Sequence, residues 1–176
     1  PVSKPLFWVC VLLICTCAFQ SCKPPNKYSS SGEVHDILPP SDSIQWAAIV
    51  SKVDGYGSKG DLQNEFKALD EAVAFCKQYK YYIYLFQVYN IYSQRLYSFG
   101  ENDKGDKYLD SAAWVVNHFN IPQLKSQMNL ALAAKPRYIA TDSAIYYYKA
   151  ALEDTTYLPD IYKRILNLEL SRTYIE

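Results

Sequence analysis

Histidine is scarce in this chain: two occur in 176 residues, His35 and His118, far apart in the sequence. Cysteine is nearly absent from most of it. Four of the five (Cys10, Cys15, Cys17, Cys22) fall at or before Cys22, which leaves Cys76 alone in the rest. A structural zinc site needs four N or S ligands and polar groups to orient them. Cys15, Cys17 and Cys22 lie in or beside an oily stretch, so no metal site is expected. One remaining thiol excludes a disulfide framework, and Cys76, in a helix-like stretch, reads as a small buried hydrophobe. An excess of either charge is missing too, with 18 basic against 18 acidic side chains. Nucleic acid calls for a basic face, so it is not expected as a partner. Clean strand-type alternation is also lacking after residue 43, and that removes a sheet.

What the start of the chain does contain is an oily run, LFWVCVLLICTCAF at 6–19, with no charge and only Thr16 polar. It follows Lys4 and is shorter than the roughly 20 apolar residues of a comfortable membrane span. This is the pattern of a secretory signal. Ser21-Cys22 closes the run and resembles the lipobox of bacterial lipoproteins, in the looser form of Bacteroidetes-type bacteria. Phe19 and Gln20 stand where that family usually has leucine and a small residue. The resemblance implies a signal peptide over 1–21 and lipidation of Cys22, such as by palmitate. It also implies an exported chain tethered to the cell envelope, at the outer membrane on its periplasmic or surface side. The competing reading is simple cleavage after Ala18, with Thr16 and Ala18 as a small-x-small site. Removal of 1–21 leaves a chain long enough for one domain with a core. KPPNKYSSSGEVHDILPPSDS then follows Cys22, so the segment 22–43 reads as a flexible tether of roughly 25 Å reach. The chain starts at Pro1 and stops in a helix-like SRTYIE, which suggests a piece of a longer reading frame.

The segment 44–176 reads as helices parted by breakers. The spans expected are 43–53, ended by DGYGSKGD, then 61–79, 81–99 and 104–119. A fifth is opened by Asn120-Ile121-Pro122, a sixth covers 137–153 after Pro136, and a seventh is opened by Pro159-Asp160. On the second, Leu62, Phe66, Leu69, Val73 and Cys76 recur at helical spacing. The expected class is all-α: tandem antiparallel hairpins of about seven helices.

The hairpins repeat. Gly105, Leu109 and Ala112 recur, at one constant offset, as Ala144, Tyr148 and Ala151. This small–bulky–small pattern resembles the second helix of the tetratricopeptide repeat, an α-solenoid whose usual period, about 34 residues, is slightly shorter than the offset here. Gly100 falls on that family's turn glycine, and Leu170-Ser171 with Tyr174 on the first helix of a further unit. The resemblance implies that Gly100, Gly105, Leu109, Ala112, Ala144, Tyr148 and Ala151 are packing positions. It also implies a concave groove lined from the third helix. Gln87, Asn90, Gln94 and Ser98 form a polar stripe there with Tyr97 beside it, opposite Leu85, Tyr89, Tyr92, Leu96 and Phe99. Asn129 on the fifth helix falls on the same wall. The competing reading of the stripe is a plain solvated face.

Signals for catalysis are weak. Gly55-Tyr-Gly57-Ser-Lys-Gly60 fits G-x-G-x-x-G, yet helix-like sequence precedes it where a dinucleotide site needs a strand. It reads as an interhelix loop. Asp103, Asp106 and Asp110 lack calcium-loop spacing and read as an N-terminal cap and a solvated face. No catalytic residue, cofactor or metal ligand emerges. The expected function is therefore a membrane-anchored module that binds a protein or peptide, its oligomeric state open. Two alternatives are an extracytoplasmic segment of a sensor histidine kinase or regulator, with catalysis beyond Glu176, and a SusD-type glycan-binding lipoprotein.

Overall fold

The computed structural model describes residues 38–135, 142–153, 158 and 160–173. The signal segment, Cys22 and the tether up to residue 37 lie outside them, as does Tyr174. Among the described residues there is helix and no strand: α1 Pro40–Lys59, α2 Leu62–Tyr79, α3 Tyr82–Ser98 and α4 Asn102–His118. A short 3₁₀ turn at Pro122–Leu124 leads into α5 Lys125–Ala133, followed by α6 Asp142–Glu153 and α7 Asp160–Thr173. The protein is all-α, with each helix packed on a sequence neighbour. The chain divides into two compact units after Tyr81.

The first unit is the α1–α2 hairpin. Proline at the first turn of α1 needs no donor there, so the helix starts at Pro40, earlier than the expected residue 43. It also runs past its expected end at residue 53. Gly55 and Gly57 are helical, and the glycine-rich stretch is the last turn and a half of α1. Only Gly60 leaves the helix, at φ 69°, with its N–H bonded to the Gly57 carbonyl and the Asp61 N–H to that of Tyr56. These left-handed-cap bonds satisfy carbonyls that a helix end would otherwise strand. Asp61 then caps α2 by accepting from the Asn64 N–H. A two-residue link of this kind turns the chain straight back on itself. Trp46, Ile49 and Val53 are buried on α1, and Trp46 stacks on Phe75 of α2 at 5.9 Å. The buried stripe of α2 is Glu65, Ala68, Leu69, Ala72, Phe75 and Cys76. Of the expected stripe only Leu69 and Cys76 are fully inside; Leu62, Phe66 and Val73 are half-buried, and Ala68 and Ala72 share the buried face. Tyr81 donates its hydroxyl to Asp42 and closes the open end.

In the second unit, Gly100 at φ 78° ends α3, and the Glu101 N–H reaches back to the Leu96 carbonyl at 3.0 Å. The turn glycine is thus required by backbone conformation. α4 packs on α3 through a flush stack of Tyr108 on Tyr92, centroids 4.0 Å apart and 3° from parallel. At Gly105 an added Cβ would stand 2.5 Å from the Tyr97 ring and 3.1 Å from the Ser93 carbonyl oxygen. Leu109 and Ala112 lie on the same buried face. The later triplet behaves alike: Ala144, Tyr148 and Ala151 are buried with Ala133, Leu158 and Leu166 in one apolar cluster. Of the α3 stripe, Leu85, Tyr89, Tyr92 and Leu96 are buried and Phe99 is exposed. The described part of the sixth helix starts at Asp142; the segment 136–141 lies outside the described set.

These surroundings set opposite signs for one substitution. At Gly55 nothing lies within 4 Å of an added Cβ, so Gly55→Ala should stabilise by roughly 0.5–1 kcal/mol through helix propensity alone. At Gly105 the same gain is outweighed by overpacking against a buried ring, and Gly105→Ala should cost about 1–3 kcal/mol net. Urea unfolding of the two variants should move the midpoint in opposite directions.

Candidate functional site

Gln87, Asn90, Gln94 and Ser98 follow one another at three- and four-residue steps, which places them on one face of α3. The first three are half-buried and Ser98 is exposed. Gln94 Nε2 donates to Asn90 Oδ1 at 3.3 Å, and Ser98 Oγ donates to the Arg95 carbonyl at 2.7 Å. Local bonds thus hold the stripe along its own helix. Its amides carry both donors and acceptors, the complement of an extended peptide backbone. Asn129 is half-buried on α5.

Tyr97 does not join this face. It is buried, its ring fills the space left by the missing side chain of Gly105, and its hydroxyl donates to Asp106 Oδ1 at 2.6 Å. Its expected place beside the polar stripe of the groove is corrected to one in the packing between α3 and α4. Asp106 also departs from expectation. It stands with Asp103 and Asp110 along one side of α4, yet those two are exposed and Asp106 is buried. The reason is Lys135, just past α5, whose Nζ reaches in to 3.3 Å from Asp106 Oδ1 and 4.0 Å from Asp110 Oδ1. Nor does Asp103 cap α4: the cap position is Glu101, without a side-chain bond. A hydroxyl, a carboxylate and an ammonium group thus meet inside the protein and tie the end of α3, the start of α4 and the end of α5. Sequence spacing misses this node because its third member comes from beyond the next helix.

Cys76 is fully buried, and burial pushes its thiol up from 9.0 to about 12. Because burial penalises only the thiolate, the shift has no effect on stability at pH below 9.0, and stability falls as pH climbs from there towards 12. Among the described residues no group of three or more His, Cys, Asp or Glu side chains is placed to hold a metal ion. No described helix is long and apolar enough to cross a membrane.

Compared with models of known protein families, with characterised proteins and with solved structures, the chain matches none.

The buried node carries a clear expectation. Lys135→Met leaves Asp106 with its charge inside and its cation gone, and should cost about 3 kcal/mol in urea unfolding. Asp110 meets the same lysine from solvent, so Asp110→Asn should stay within about 0.5 kcal/mol of wild type.

Proposed function

We propose that the chain is an exported, lipid-anchored helical-repeat module of the tetratricopeptide type that binds an extended peptide or protein segment at the bacterial cell envelope. The observation that carries this reading is the twice-used packing register. Gly105, Leu109 and Ala112 are buried, and so are Ala144, Tyr148 and Ala151, each at the same offset from its counterpart. Two hairpins closed by the same small–bulky–small device are the repeating unit of a solenoid. Solenoids offer extended surfaces for binding. The half-buried amides Gln87, Asn90 and Gln94 supply the polar wall such a surface needs, and Ser98 and Asn129 extend it. Cys22 supplies the anchor, since it follows an uncharged run and precedes a proline- and serine-rich stretch.

Two measurements test the reading. A fatty-acid probe fed to expressing bacteria should label the wild-type chain and leave Cys22→Ser unlabelled; equal labelling removes the anchor. Pull-down from envelope extract should recover a partner with wild type and several-fold less with Asn90→Ala/Gln94→Ala, at unchanged melting temperature. Partly exposed polar side chains of this kind contribute little to the fold. Equal recovery of the same proteins reduces the stripe to a wet helix face.

A further inference from the structure

Trp114 is an indole in an unusual position for a stable helical unit: it is 55 % exposed, although it sits in the middle of the second half of α4. It is not loose. His118, one turn on, stacks on it with centroids 4.4 Å apart and planes 14° from parallel. Phe119 sets its edge against both rings, 5.6 Å from Trp114 and 4.7 Å from His118. Tyr82, at the start of α3, lies flat on Phe119 at 3.5 Å. The indole is therefore propped by rings from both helices of the hairpin. With His118 against one face, the exposure of Trp114 falls on its opposite face and outer edge.

A propped, outward-facing indole has lost its rotamer freedom before any ligand arrives, and that lowers the cost of binding. The groups around it narrow what the ligand is. Asp110 and Asn117 stand one helical turn before and after Trp114, on the same side of α4, and both are exposed. The Asp110 carboxylate accepts hydrogen bonds, and the Asn117 amide both donates and accepts. Lys135 Nζ lies 4.0 Å from Asp110 but nearer, at 3.3 Å, to the buried Asp106, whose charge it balances. The rim is thus polar and keeps the Asp110 charge, which disfavours an anion. A flat apolar platform edged by one acceptor and one amide matches a ligand with a flat C–H face and hydroxyls around its edge. We propose that Trp114, with Asp110 and Asn117, is a binding site for a neutral saccharide, the pyranose ring lying on the indole and its hydroxyls bonded to the two polar side chains. This site is separate from the amide stripe of α3 and does not depend on the peptide-binding reading.

Native affinity electrophoresis tests it, using the full chain in a polyoxyethylene detergent. The gels contain a soluble neutral glucan, mannan, galactan or xylan, or anionic polygalacturonate. Wild type should be retarded by at least one of the neutral polymers and not selectively by polygalacturonate. Trp114→Ala should weaken that retardation about tenfold, the loss expected from one aromatic stacking contact. Trp114→Tyr should keep a large part of it. Circular dichroism should show both variants with wild-type helicity, since the side chain is exposed. Asn117→Ala should weaken retardation with no change in helicity. Absence of retardation in all neutral gels, retardation untouched by Trp114→Ala, or Trp114-dependent binding to phosphatidylcholine vesicles or to a second copy of the chain instead would each overturn the proposal.

Discussion

Everything in the α3–α4 hairpin turns on one position without a side chain. Gly105 lets the Tyr97 ring lie against the α4 backbone, and from that contact the Tyr97 hydroxyl reaches Asp106 in the next position. Asp106 is tolerated inside because Lys135 arrives from beyond α5 with the opposite charge. The dependence runs in one order. A bulkier residue at 105 moves the ring, a moved ring withdraws a hydrogen bond from a buried carboxylate, and that carboxylate then leans on the lysine. A buried ion pair of this kind contributes little net stability over an apolar replacement, but losing one partner is costly. Its effect is therefore to fix which surfaces of α3, α4 and the end of α5 meet.

The later triplet is buried as well. Ala144 and Ala151 flank Tyr148 in an apolar cluster with Ala133, Leu158 and Leu166. In one case glycine makes room for a tyrosine from the preceding helix; in the other, alanines make room around a tyrosine of their own helix. The repeat is thus one of spacing and volume.

Much of this is legible in the residues. The helix count and the turn at Gly100 follow from periodicity and breakers, and the small–bulky–small spacing falls on buried positions in both copies, since these are local signals. Where the reading fails, context overrides a local signal. GYGSKG looks like a loop, yet glycine costs a helix only about 1 kcal/mol each, and the cap at Gly60 with α2 packed alongside carries α1 through two of them. Tyr97 looks like part of a polar face because it neighbours Ser98, but a side-chain-free patch on the next helix draws it inward. Asp106 looks solvated beside Asp103 and Asp110, and only a distant lysine decides otherwise. The Trp114 platform is invisible for a similar reason: Tyr82 reaches Phe119 only once the α3–α4 hairpin has closed.

The central claim is that the α3–α4 contact is set by the fit of the Tyr97 ring into the space at Gly105. A double-mutant cycle of Gly105→Ala with Tyr97→Ala, read by urea unfolding, tests it most directly. If the ring is what meets the new methyl group, the penalty of Gly105→Ala should largely disappear in the Tyr97→Ala background, a coupling of about 1–2 kcal/mol. Additive penalties, with Gly105→Ala costing the same in both backgrounds, would contradict it.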